Sequence, residues 1–139
     1  MIETAILDHI GIAVESIDSG LAIYQALGVE VEGIEEVADQ KVRVAFLPVG
    51  DTRIELLEPT DDTSPIANHL ERRGAGLHHI CLRVPDIRAA MAQLSEEGYR
   101  LLSEEPLRGA HECLVCFIHP KSAGGVLIEI SQKVVPDGS

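Results

Sequence analysis

The chain has 139 residues, enough for one compact domain or two small modules sharing a core. Its formal net charge of −12, from 23 acidic against 11 basic residues, argues against nucleic acid or an anionic membrane as partner, because phosphate binding needs clustered cations. With no Trp, two Tyr and two Phe, the core falls to Val, Ile, Leu and Ala; no membrane-length apolar run or secretion signal is visible, and a cytoplasmic protein is expected.

Taken in chain order, the apolar, β-branched run from Ala5 to Val14 predicts a strand that stops at Glu15-Ser16. Ile17, Leu21, Tyr24 and Leu27 then recur at helical spacing, and Gly28 ends the helix as a C-cap glycine would. Short strands are expected at Val29 to Glu32, Lys41 to Pro48 and Arg53 to Leu57, the last two parted by Gly50-Asp51. From Pro59 to Gly76 the chain reads as a connector holding a short helix, with Ser64 as N-cap, Pro65 at the first helical position and Arg73-Gly74 at the end. The pattern then repeats. A strand at Leu77 to Val84 leads through Pro85-Asp86 into a helix with Ile87, Met91 and Leu94 on one face, ending before Gly98. Strands follow at Arg100 to Ser103, Cys113 to His119 and Val126 to Ser131, and the tail after Gln132 lacks periodicity and is expected to fray.

A shift of 70 residues superposes His9 on His79, Val14 on Val84, Ile17 on Ile87, Leu21 on Met91 and Gly28 on Gly98. The closing strands, VAFLPVGDTRIELLEP and VCFIHPKSAGGVLIEISQ, set Glu55 over Glu129. The expected fold is therefore α+β: two tandem β-α-β-β-β modules, 5–58 and 77–132, forming a curved sheet around a metal site. A connecting helix occupies 59–76, a tail occupies 133–139, and the whole is one domain.

Strand parity separates the aliphatic residues Ile10, Ile12, Val14, Ile54 and Leu56 from His9 and Glu55. It likewise separates Ile80, Leu82, Val84, Ile128 and Ile130 from His79 and Glu129. The aliphatic faces must meet the helices, so both His and both Glu are expected on the concave face. Buried carboxylates without a partner cost several kcal/mol, and a bound cation would remove that cost. Two imidazoles and two carboxylates suit Mn, Co, Fe, Ni, Zn or Mg without choosing among them, and leave positions open on an octahedral ion.

The other reactive side chains carry weaker signals. Cys113 and Cys116 form C-x-x-C inside a strand, where an offset of three puts the thiols on opposite faces, and the odd count of three cysteines argues against a disulfide framework. His78 falls on the helix-facing side and His69 on the surface, while His111 and His119 flank a strand and could line the mouth of the groove.

The module carrying His9, Glu55, His79 and Glu129 resembles the vicinal oxygen chelate superfamily, with its glyoxalase/bleomycin resistance-like fold. Within it, the strings LDHIGIAV, SPIANHL, GLHHICLRV, LLSEEP, GAH and FIHPKSAGGVLIEI look most like the methylmalonyl-CoA epimerase family. That resemblance implies a divalent metal on those four residues and an acyl-CoA substrate whose C2 proton is exchanged between 2R and 2S forms. Glu129 and Glu55 are then the acid–base groups, and a homodimer is expected. Where some epimerases have a third-strand glutamate assigned as a base, this chain aligns Arg43. Parity is read as turning Arg43 into the groove to hold the substrate carboxylate, or to pair with Glu55. Lys121 and Ser122, with Arg108 and the turn to Gly125, are the candidates for coenzyme A phosphates. The alternatives are a glyoxalase I-type lyase on the same ligands and, from another class, a metal-free small-molecule-binding protein; an extradiol dioxygenase would use iron and lack the fourth carboxylate.

Overall fold

The computed structural model describes residues 4–134. Its elements in chain order are β1 (Ile6–Ala13), α1 (Ile17–Ala26), β2 (Gly33–Val37), β3 (Val42–Val49), β4 (Thr52–Pro59), α2 (Pro65–Arg73), β5 (Gly76–Arg83), α3 (Ile87–Glu96), β6 (Leu107–Arg108), β7 (Cys113–Ile118) and β8 (Ile128–Lys133). The β-α-β-β-β order thus occurs twice, with α2 between. Among the described residues contacts gather into two compact units, 9–78 and 4–8 with 79–134, so α2 belongs with the first module.

Helix ends follow local chemistry. The Ser16 hydroxyl accepts the Ser19 amide at 3.1 Å, the Asp86 carboxylate accepts the Ala89 amide at 3.1 Å, and the Ser64 hydroxyl accepts the Ile66 amide at 3.1 Å with Pro65 in the first turn. A second, long-range cap fixes α1 and α3 to their sheets. Glu58 Oε1 accepts the Ile17 amide at 3.0 Å, and Gln132 Oε1 accepts the Ile87 amide at 2.9 Å. These two residues stand three positions beyond Glu55 and Glu129 in their strands.

Each unit packs one sheet face against its helix. In residues 9–78, Ala45, Leu47 and Leu56 close on Val14, Ile17 and Leu21. In the other unit, Cys116, Ile118 and Ile130 close on Val84, Ile87, Ala90 and Met91. Burying an aliphatic side chain of this size contributes about 1.5–3 kcal/mol, so these clusters decide which way each strand faces. The strands of the first unit run β2-β3-β4-β1 and those of the second β5-β8-β7-β6. β1 is parallel to β4, with Gly11 beside Glu55, and β3 is antiparallel to β4, with Phe46 opposite Glu55. The second unit repeats this: Cys81 lies beside Glu129 in parallel β5 and β8, and Phe117 stands opposite Glu129 across β7 and β8.

Three expected strand positions move. The strand at Val29 to Glu32 is displaced to Gly33–Val37, because Val29 and Val31 pack against the α1 cluster instead of pairing; the Glu32 amide, bonded to the Phe46 carbonyl at 2.8 Å, leads into the ladder. Arg100 to Ser103 makes a single bridge, Leu101 to Ile118, and the pairing continues in the two-residue β6. At the C-terminal end β8 extends through Lys133; residues 135–139, where fraying is expected, lie outside the described residues.

Candidate active site

In the first unit, His9 on β1 and Glu55 on β4 are brought together because parallel pairing sets β1 beside β4 and both side chains lie opposite the α1 cluster. His9 Nδ1 stands 3.2 Å from Glu55 Oε2. Arg53, two residues before Glu55 and so on the same face, donates to that same oxygen from Nε at 2.8 Å and approaches it with Nη2 at 2.7 Å. Its guanidinium lies over the Phe46 ring, 5.7 Å from the centroid. His9 is 6 % exposed and Glu55 4 %, so the carboxylate charge is met inside the protein rather than by water.

The second unit builds its half from equivalent positions. His79 Nε2 is 3.0 Å from Glu129 Oε1, at 7 % and 6 % exposure, and the Phe117 ring meets the His79 ring edge to face at 5.8 Å. Beside them the Cys81 thiol contacts the Ser131 hydroxyl at 3.2 Å, both buried. Each unit therefore offers one imidazole and one carboxylate, borderline-hard donors with the chemistry a divalent cation takes. The chain's two phenylalanines occupy the matching places opposite the two glutamates, which the aligned strings VAFLP and VCFIHP already carried.

Of the sequence candidates, His9, Glu55, His79 and Glu129 all fall on the faces predicted, and Arg43 does not. The β3–β4 register sets Arg43 opposite Glu58, alternating with Phe46 and sharing the helix-side face of Ala45 and Leu47. There Arg43 Nη1 pairs with Glu58 Oε2 at 2.8 Å. Its partner is thus Glu58, not Glu55, and the pair braces the acceptor of the α1 amide. The residue that does reach Glu55 is Arg53, whose signal in the sequence was parity with Glu55 itself.

Ser122 is used locally, its hydroxyl accepting the Arg100 amide at 3.0 Å, while the Lys121 amide donates to His119 Nδ1 at 3.0 Å and its side chain is exposed. Cys113 and Cys116 do lie on opposite faces: Cys116 is fully buried against α3, its thiol pushed up by desolvation against the opposing Ser103 hydrogen bond. His69 and His78 meet each other edge to face at 4.9 Å. No helix among the described residues is long and apolar enough to cross a membrane.

Residues 8–117 match the model of the glyoxalase/bleomycin resistance protein/dioxygenase superfamily. The ethylmalonyl-CoA/methylmalonyl-CoA epimerase of Cereibacter sphaeroides is 45% identical over 129 residues, covering 91% of this chain and 96% of that protein. The mitochondrial methylmalonyl-CoA epimerase of Homo sapiens is 42% identical over 128 residues, covering 91% of this chain and 73% of that one. A structure of a Streptomyces coelicolor methylmalonyl-CoA epimerase variant in complex with 2-nitronate-propionyl-CoA superposes with a TM-score of 0.88 at 36% identity, covering 93% of this chain and 97% of that one. A motif set spread from His9 to Glu129, a fold matched at that level and relatives similar over nine-tenths of the chain converge, and the chain belongs to the methylmalonyl-CoA epimerase family of the glyoxalase/bleomycin resistance protein/dioxygenase superfamily.

Proposed function

We propose that this chain is an isomerase that interconverts the 2R and 2S forms of methylmalonyl-CoA by exchanging the proton at C2, with a divalent cation held by His9, Glu55, His79 and Glu129. The observation that carries the reading is the recurrence of a buried His–Glu pair at equivalent positions of both modules, 3.2 Å apart in one and 3.0 Å in the other. The C2 proton, between a thioester and a carboxylate, is weakly acidic. A bound cation would supply Lewis-acid stabilisation of the enolate charge. Inversion needs an acid–base group on each face of that carbon, and Glu129 and Glu55 are assigned to the two faces. Arg53 holds Glu55 Oε2, and Oε1 is the oxygen assigned to the cation. Lys121, exposed beside its turn, is the proposed contact for coenzyme A phosphates. A cytoplasmic homodimer completes the reading, supported by composition and by the family.

Proton NMR of methylmalonyl-CoA in D2O with catalytic protein tests it directly. Loss of the C2 proton signal, abolished by a chelator and restored by Co or Mn, is the expected result. Absence of exchange with every metal would overturn it, and turnover of the methylglyoxal–glutathione hemithioacetal would instead establish the glyoxalase I-type lyase.

A further inference from the structure

Arg53 lies beside the His9–Glu55 pair, and its geometry is specific. Nε and Nη2 both converge on a single oxygen, Glu55 Oε2, at 2.8 and 2.7 Å. His9 Nδ1 approaches the same oxygen at 3.2 Å. Three nitrogens around one carboxylate oxygen leave little room for a fourth partner there, so any further ligand must address Oε1. The guanidinium itself lies over Phe46, its carbon 5.7 Å from the ring centroid; Phe46 is the residue opposite Glu55 in the ladder, and the Arg53 side chain is mostly buried. Arginine's planar fork suits this task and a lysine ammonium would not reproduce it.

In the other module the position two before Glu129 is Leu127, which cannot donate a hydrogen bond from its side chain, so Arg53 is not repeated there. The two glutamates therefore differ in this neighbour although their strands are copies. A carboxylate held by an Arg⁺ contributes its oxygen with its charge locally offset, which brings it close to an amide donor. With the charge of Glu55 offset, the ligand set would cancel less of a divalent ion's positive charge. A centre that accumulates negative charge on substrate needs that residual charge.

We propose that Arg53 is a positioning residue that fixes Glu55 by its Oε2, presents Oε1 to the cation and offsets the charge of that ligand. This rests on the reading of Glu55 as a metal ligand. The test is cobalt affinity of the purified full chain, measured by calorimetry on wild type, Arg53→Met, Arg53→Lys and Glu55→Ala, with circular dichroism to confirm that each is folded. Met keeps the apolar stem over Phe46. Arg53→Met is expected to weaken cobalt binding by about 10–100-fold, the range for loss of a group that orients a metal ligand, and Arg53→Lys to restore only part of that loss. If Arg53→Met binds cobalt within about twofold of wild type while Glu55→Ala loses it, Arg53 does not position the ligand and the inference fails. Full recovery by Lys would overturn the positioning role, since charge without the fork would then suffice. If Glu55→Ala binds cobalt as wild type does, it is the ligand reading of Glu55 that fails.

Discussion

Gly20, in the middle of α1, tests how tightly the rear of the first unit is closed. An exposed helical Gly→Ala change gains about 1 kcal/mol from backbone entropy. Here a Cβ at position 20 would stand 2.8 Å from Val14 Cγ1, 3.3 Å from Val14 Cβ and 3.4 Å from Leu56 Cδ1. Val14 is β-branched, 7 % exposed and fixed between strand and helix, and Leu56 is fully buried, so neither yields easily. Overpacking of this kind costs about 1–3 kcal/mol. The clash wins: Gly20→Ala is expected to lose about 1 kcal/mol net, which for a chain of this size lowers Tm by about 3–4 °C. The equivalent position in the second module is Ala90, already accommodated at 2 % exposure against Met91 and Ile87, which shows that the restriction belongs to the first module alone. Thermal unfolding followed by circular dichroism decides the matter. A Gly20→Ala variant that melts at or above wild type would refute the packing argument and leave helix propensity in control.

Glu129→Gln keeps the shape and a donor oxygen but removes proton transfer, so C2 exchange in D2O should fall by about 10²–10⁴-fold while cobalt still binds; unchanged exchange would remove Glu129 from the chemistry. Desolvation, with Arg73 adding to it, holds His69 below its ordinary imidazole value. A depressed imidazole contributes stability that is present above the unfolded value, near pH 6.5, and lost as pH falls through the folded one. His69→Gln should therefore lose less stability than wild type when urea midpoints are compared at pH 7.5 and 5.5, and an equal loss would contradict the assignment. Thiol titration at pH 8 should label half-buried Cys113 first and leave Cys81 and Cys116, both fully buried, until the protein unfolds; early labelling of Cys116 would contradict its packing against α3.

Short-range chemistry was the legible part of this sequence. Ser64 caps the helix it was expected to cap, Ser16 and Asp86 at the expected strand stop and helix entry prove to be N-caps, and α1, α2 and α3 run where spacing and end signals placed them. The residues on the faces turned away from the helices were also legible, because alternation in β1, β4, β5 and β8 is anchored at both ends by aliphatic neighbours that must meet a helix. β2 was not, since Gly33–Val37 carries Glu35 and Glu36 and pairs through its backbone on one side only, while the more apolar Val29 and Val31 serve the core without joining the ladder. The parity of Arg43 was misread although the signal was present. Val49 pairs with Thr52 across Gly50-Asp51, and counting back from that two-residue turn sets Arg43 against Glu58 and Phe46 against Glu55. The same register carried across the hairpin places Phe46 opposite Glu55, whereas Arg53 needed only the alternation within β4, two residues before Glu55.

The amide caps supplied by Glu58 and Gln132 have a consequence for ancestry. In the first module, the stretch from His9 to Glu58 contains imidazole, carboxylate, opposing phenyl ring and the acceptor that pins the helix; from His79 to Gln132 the second contains the same set. Each buried His–Glu pair and the acceptor that pins its helix are thus carried in one contiguous cassette. Copying that cassette transmits a working geometry without redesign, and later divergence, such as Arg53 in one copy and Leu127 in the other, can specialise a single member of the pair while the frame stays common.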